Sequence, residues 1–322
     1  MKRVMTFPII GEFGWIVPDI APHVRTWLLE RRDCRRVVIC SPYVRFLFEE
    51  ADEFLDPPRI WLQKVAVGRW IWGHSEMPRL LREWWDQQEA DEKLLPPIQK
   101  GGPLSASEKD WLPLKPTYRL LLAREELRRK ARQYAPFVAV ICRQRMNMPH
   151  KNWGPDNWDQ LVEWLKKEFG WNVLVAGGTQ SYFPKGAIKT GVGVEESVAV
   201  FNEAEFSVSS NSGGTHLSTM AGCPGMSWGP QKLRLLGRRM ELESNPLGAF
   251  FRYSSYLDWY PPIGWVRERV RKFWMELQDD RATAGAERTL PGLREEALRE
   301  RETPCGGSGC IQPPSVCDPA LH

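Results

Sequence analysis

Long apolar runs are missing from this chain of 322 residues. None approaches the ~18–20 residues that a membrane-spanning helix needs. After Met1-Lys2-Arg3 the apolar stretch breaks at Pro8 and Gly11, and no small-residue cleavage site follows. It therefore reads as a buried first strand and not as a signal peptide. Cysteine is scarce, with seven residues scattered over a large chain. An odd, dispersed set argues against a disulfide framework and for a reducing, cytoplasmic setting. Cys305, Cys310 and Cys317 cluster in the tail, but their spacing matches none of the common zinc patterns. Excess charge is also scarce: a net +4 suits an anionic ligand and is too small to argue for nucleic acid.

Tryptophan, by contrast, is abundant at sixteen residues. Most belong to packing, because the side chain carries a large apolar area, and a few are candidates for lining a sugar or base site. Two successive α/β halves can be read along the chain. The first opens with a strand at 4–10, a glycine-rich turn, a helix at about 18–30, a strand at 36–41 and a helical stretch from Pro42. That βαβα beginning marks a parallel sheet covered by helices. Residues 57–118 have little periodicity, and a lid, an acceptor-binding insertion and a helical excursion all fit them. A basic amphipathic helix is expected over 118–134, stopping before Pro136.

The second half starts afresh with a strand at 137–143 and a helix at 157–170 closed by Gly170. A strand at 171–178, a turn near 188–191, a helix from about Glu195 and a strand from Phe206 follow. A last helix spans 263 to about 278, and the charged, then Gly/Pro/Cys-rich remainder reads as a mobile tail. The expected domains are 1–134 and 135–262, both Rossmann-like and facing one another, then the helix at 263–279 and the tail at 280–322.

The chemistry gathers at predicted strand ends. In "FSVSSNSGGTHLSTMAGCP" (206–224) an alternating strand breaks into Asn211-Ser212-Gly213-Gly214, and a helix starts at Thr215. Ser212, Gly213, Gly214 and Thr215 would present amides and hydroxyls at a helix N-terminus, where the dipole favours an anion. The plainer reading is a glycine turn with an N-cap. Carboxyl ends of strands in open α/β sheets are where ligands bind, which favours function. Gly177 and Gly178 end the preceding strand where bulk would block a ligand. Arg143, Arg145, His150 and Lys151 follow the strand at 137–143 and could neutralise a diphosphate without a metal. For Arg145 and His150 a solvated loop is the plainer reading. Glu12, in "GEFGW", is an acid in a glycine-flanked loop, fit either to cap a helix or to act as a general base.

Together these stretches resemble the family 9 glycosyltransferases, the bacterial heptosyltransferase-like enzymes. "FSVSSNSGGTHLSTMAGCPGMSWGP" is similar to that family's strand, Asp/Asn-Ser/Thr-Gly loop, "HL" helix and "WGP" segment. "HKNWGPDNWDQLVEWL" and "VLVAGG" are similar to two further stretches, and "GEFGW" stands where the family carries Gly-Asp. The resemblance implies the GT-B arrangement, with the final helix crossing back to the first domain. It further implies inverting transfer of a hexosyl or heptosyl group from a nucleotide-sugar, with no obligatory metal and no cofactor beyond the donor. By position, Glu12 would deprotonate the acceptor hydroxyl. Lys151 and Arg143 would meet the diphosphate beside residues 212–215, with Gly177, Gly178, Asn211 and His216 around it. Two departures stand out: Asn211 replaces a common Asp, and Glu12 is one methylene longer than Asp.

The acceptor expected is a glycan. Hydroxymethylated DNA is an alternative, given a basic helix with Arg119, Arg124, Arg128, Arg129, Lys130 and Arg132. A nucleotide-sugar binding protein without catalysis is a second alternative.

Overall fold

A computed structural model describes residues 1–10, 16–66, 79–94, 116–145, 149–178, 181–191, 193–231 and 245–284. The first half contains β1 (Arg3–Met5), α1 (Ala21–Leu29), β2 (Arg35–Ile39), β3 (Glu53–Leu55), α2 (Arg59–Ala66), α3 (Arg79–Asp86) and β4 (Glu92–Lys93). Its four strands are parallel in the order β3-β2-β1-β4. Val37, Val38 and Ile39 are all fully buried, as a parallel strand covered on both faces requires. The expected strand at 4–10 is shorter: it ends at Met5, stays tied to β2 where Thr6 N–H donates to Val37 O (3.0 Å), and bridges Cys40 at Ile9. The stretch from Pro42 is a single 3-10 segment, Pro42–Leu47.

The helix expected over 118–134 occupies only Glu125–Arg132, here α4. The physical reason lies in Leu120 to Ala123, four consecutive apolar residues that are all buried. A helix would turn part of that run to solvent, whereas an extended strap can be covered on every side. The strap finds its backbone partners elsewhere. Thr117 N–H donates to Thr26 Oγ1 (2.9 Å), and the buried Arg25 donates to Thr117 O (3.1 Å). Leu121 N–H donates to Met220 O (2.8 Å). Asn202, fully buried, accepts from Ala123 N–H (3.0 Å) and donates to Leu121 O (2.9 Å) and Ala221 O (3.2 Å). Asn202→Leu would leave these buried groups unmet, each costing about 1–3 kcal/mol. We expect a loss of roughly 3 kcal/mol by denaturant unfolding; a loss below about 1 kcal/mol would mean that Asn202 does not brace the strap.

The second half carries β5 (Phe137–Ile141), α5 (Pro155–Phe169), β6 (Asn172–Val175), β7 (Ile188–Lys189), α6 (Val194–Glu203), β8 (Phe206–Ser210), α7 (Gly213–Met220), β9 (Gly225–Pro230), β10 (Phe251–Tyr256) and α8 (Ile263–Ala284). Its sheet is parallel throughout, in the order β10-β9-β8-β5-β6-β7. Gly170 closes α5 with a left-handed φ of 69°, as its position predicts. On β8, Phe206 and Val208 face the outer core, while the small hydroxyls on the other face let α7 lie close. Ser207 Oγ meets Ser218 Oγ at 2.7 Å, and Ser209 Oγ meets Thr215 Oγ1 at 2.9 Å.

Helix α8 runs to Ala284, beyond the expected end near 278. Its stripe of Val266, Val270, Phe273 and Leu277 is buried with Val138, Trp158, Leu161 and Phe206 of the second half. Arg271 reinforces this, pairing with Glu168 at 2.6 Å. The stripe expected to dock on the first domain is therefore docked on the second, because the β5–β8 face supplies the aromatic surface that it needs. The halves meet elsewhere: residues of β1, β2 and α1 share one continuous core with Ala139, Ile141, Leu217 and Met220. No helix among the described residues is long and apolar enough to cross a membrane. The tail cysteines Cys305, Cys310 and Cys317 lie outside the described residues.

Candidate active site

Strands β8, β5 and β6 are neighbours, so the three chain segments leaving their carboxyl ends converge. After β6, Gly177 and Gly178 keep the wall thin: a Cβ on Gly177 would stand 2.9 Å from Ser181 Cβ. After β8, a Cβ on Gly214 would stand 2.8 Å from Ile141 Cγ2, so the loop can lie against β5 only as glycine. After β5, Arg143 is buried at 7% exposure and donates to Asn152 Oδ1 (2.5 Å). Asn152 also accepts from Arg145 N–H (3.0 Å) and donates to Arg145 O (2.9 Å), fixing the path of this basic loop.

Between these segments lies a pocket of about 660 Å³, counted with its open mouth, lined by Arg143, Arg145, Gly177, Gly178, Ser212 and Gly214. Ile141 and Leu217 contribute apolar surface. The N-terminus of α7 opens at Ser212 with no acid in its first turn. Ser212 Oγ is buried and makes no well-aligned hydrogen bond. The N-terminus of α6 closes the pocket with Gly193 and Val194. Two guanidinium groups, the N-terminus of α7 and glycine walls make a receptacle for an anion with an apolar appendage, whereas the first turn of α6 carries its own acids, Glu195 and Glu196.

The expected site residues divide into two groups. Arg143, Gly177, Gly178, Ser212 and Gly214 line the pocket, and Gly213 is the first residue of α7 beside them. Lys151, Asn211, Thr215 and His216 are not in its lining. Thr215 is buried, with its hydroxyl on Ser209 and on Ser212 N–H (3.3 Å), so its side chain shapes the loop from behind. His216 is half-buried in the first turn of α7, and its carbonyl accepts from Thr219 Oγ1 (3.0 Å). Asn211 N–H donates to Trp228 O (2.9 Å), and its side chain meets Tyr253, whose hydroxyl burial pushes up to about 12. Lys151 Nζ lies 5.0 Å from the Trp259 ring centroid. Trp259 and Tyr253 both pack over Gly229, where a Cβ would come within 3.3 Å of Trp259 Cζ3. Lys151 and Asn211 thus border a second, aromatic neighbourhood. Glu12 lies outside the described residues.

Sequence reasoning missed the α6 wall, Gly193 to Phe201, and gave Arg145 to solvent. The glycines of "GVGV" (191–194) were the available signal, a further glycine-flanked helix start at a strand's carboxyl side. The basic helix is no bare cationic face. Arg124 pairs with Glu195 (3.0 Å), Arg128 with Glu125, Lys130 with Glu126 (2.7 Å), and Arg132 with Glu203 (3.1 Å). Arg119 pairs with Glu49 (3.1 Å).

No protein-family model matches the chain, and no curated protein matches it at a significant level. Solved structures do match. The family 9 glycosyl transferase of Veillonella parvula superposes with a TM-score of 0.53 at 12% identity, over 85% of this chain and 97% of that one. The E. coli ADP-heptose LPS heptosyltransferase II gives 0.56 at 14% identity, over 86% and 99%. E. coli heptosyltransferase WaaC, solved with ADP-2-deoxy-2-fluoro heptose, gives 0.52 at 10% identity, over 84% and 99%. Two parallel α/β sheets, a glycine-walled pocket at the carboxyl ends of the second, and these superpositions give this chain the GT-B fold in the form that the family 9 glycosyltransferase structures share.

Proposed function

We propose that this protein is an inverting, metal-independent glycosyltransferase that moves a hexosyl or heptosyl group from a nucleotide-sugar to a hydroxyl of a glycan acceptor. The observation that carries this reading is the pocket in which Arg143, Arg145, Ser212 and Gly214 surround one space at the N-terminus of α7. A diphosphate matches it in charge, and the apolar wall from Ile141 and Leu217 suits the remainder of a nucleotide. In the reaction, the acceptor hydroxyl gives its proton to Glu12 as it attacks the anomeric carbon. The bond to the diphosphate oxygen breaks, and the departing charge is held by the two arginines and by the amides at 212–214, an electrostatic role. Lys151 completes that set when its ammonium swings from Trp259. The four cysteines of the described residues, Cys34, Cys40, Cys142 and Cys223, are buried free thiols, which supports a cytoplasmic setting.

A thermal-shift panel of nucleoside diphosphates and nucleotide-sugars tests the reading, since a ligand of the native state raises Tm. We expect at least one nucleotide-sugar and its nucleoside diphosphate to raise Tm by several degrees (about 2.7 kcal/mol at 100 times Kd). No shift with any of them contradicts the proposal. Binding without slow donor hydrolysis would leave a binding protein without catalysis.

A further inference from the structure

Strand β10 ends the second sheet: β9 pairs with one of its sides, and no strand among the described residues pairs with the other. Where the two strands meet, Phe251 stands opposite Gly225, and Gly225 N–H donates to Phe250 O (2.8 Å). A parallel ladder in that register turns the N–H and C=O of Arg252, Ser254 and Tyr256 towards β9. It turns those of Phe251, Tyr253 and Ser255 outward. Arg252 Nη1 donates to Phe251 O (3.1 Å), while Ser255 N–H and C=O meet no partner among the described residues.

Between this edge and α8 runs a groove of about 720 Å³, counted with its open side. Arg252, Tyr253, Ser254 and Ser255 line it from the strand. Consecutive strand residues point to opposite faces, so a groove that touches all four runs along the edge. The other wall is α8, which contributes Trp265, Arg269, Lys272 and Glu276, a single stripe at helical spacing. The helix runs antiparallel to the strand: Tyr256 packs on Trp265 (5.2 Å between ring centroids), and Arg252 pairs with Glu276 (2.8 Å). A further strand laid against β10 would turn every second side chain onto that stripe. What it would meet there is cationic. Glu276, the one lining carboxylate, holds Arg252 and reaches Lys272 only at 3.9 Å. Arg269 pairs with no carboxylate among the described residues. Its guanidinium rests 5.3 Å from the Trp265 ring centroid, and its Nε is buried without a hydrogen bond.

A second copy of this chain joined through β10 would set these cations against their own counterparts, which disfavours it. A soluble anion would account for the cations and leave the Ser255 backbone unpaired. An extended acidic segment answers both. We propose that the β10 edge and α8 form a docking groove for an extended acidic peptide of a partner protein, which adds a strand to the second sheet and sets its carboxylates on Arg269 and Lys272. Ser255 N–H and C=O pair with the peptide backbone. The inference does not rest on the transfer reading, since peptide binding is read without any donor.

The probe is a fluorescein-labelled heptapeptide of alternating Thr and Glu, titrated with the full chain and read by anisotropy. Its β-branched Thr favours the extended form, and the alternation puts every Glu on one face. Saturable binding that weakens as salt rises is expected. The counterpart with Lys for Glu should not bind, and an isomer with its Glu contiguous should bind about tenfold more weakly. R269Q/K272Q should lower affinity about tenfold. S255P should also lower it about tenfold, because it removes an outward N–H at a place where an edge strand accepts proline. R79Q/K185Q removes the same charge from other exposed positions and should leave affinity unchanged. Melting curves check that each variant is folded. The proposal is overturned if the wild type does not bind the alternating peptide, or binds the contiguous isomer as tightly. Undiminished affinity in folded R269Q/K272Q overturns it too. Undiminished affinity in folded S255P does the same, and would mark the groove as a site for soluble anions. A wild type that sediments as a dimer and becomes a monomer with S255P would give the edge to a second copy, against the proposal.

Discussion

Gly214→Val is expected to lower affinity for nucleoside diphosphate by more than tenfold, a loss above about 1.4 kcal/mol. The first carbon of the new side chain would stand 2.8 Å from Ile141 Cγ2, closer than real contacts allow. The loop must therefore move away from β5 or the isoleucine must move into the pocket, and both displace the amides from the phosphate. Overpacking also costs about 1–3 kcal/mol of stability, so affinity is measured by calorimetry on protein shown to be folded. Unchanged affinity in a folded variant removes the 212–214 loop from the site.

Glu12→Gln is expected to lower kcat by about 10²–10⁴-fold while leaving donor affinity within about twofold. The amide keeps size and polarity and cannot take a proton, so the loss falls on the chemical step. Turnover near wild type with the natural acceptor would show that another acid is the base. A matched loss of donor affinity would place Glu12 in binding instead.

Much of this architecture was legible where one physical signal dominates. The α5 helix with Gly170 at its end, strands β5 and β6, and the β8–loop–α7 unit stand within a few residues of their expected positions. In α5, β6 and the β8–α7 unit apolar pattern and a glycine agree, and in β5 the unbroken apolar run is enough. Strands β9 and β10 were not legible. "GMSWGP" has glycine and proline where strand formers are usual, and its place in the sheet depends on contacts from distant residues. A Cβ on Gly225, for example, would stand 2.6 Å from Ser207 Oγ. The part of the strap at 118–124 reads as helix in the sequence because charge pattern and propensity favour one. Burial between the halves decided otherwise, and that is a long-range effect.

The site was legible by type more than by arrangement. Glycines at strand ends and arginines after β5 were visible in the sequence, and the fold gathers them into one pocket. Which of those side chains face inward was not visible. Thr215 looks like a phosphate ligand in sequence but is turned back on Ser209, and Lys151 lies on Trp259. Such orientations follow from neighbours far along the chain, here Trp259 for Lys151, and no local pattern encodes them.

A nucleotide diphosphate is expected in the space between the 177–178 turn and the start of α7. The most direct measurement is the amide spectrum of protein labelled with ¹⁵N-glycine, titrated with the nucleoside diphosphate that gives the largest thermal shift. The amides of Gly213, Gly214 and Gly178 are expected to move together and saturate at one Kd, while Gly170, at the far end of α5, stays in place. Saturable binding that shifts other glycines and leaves Gly213, Gly214 and Gly178 unmoved would contradict it.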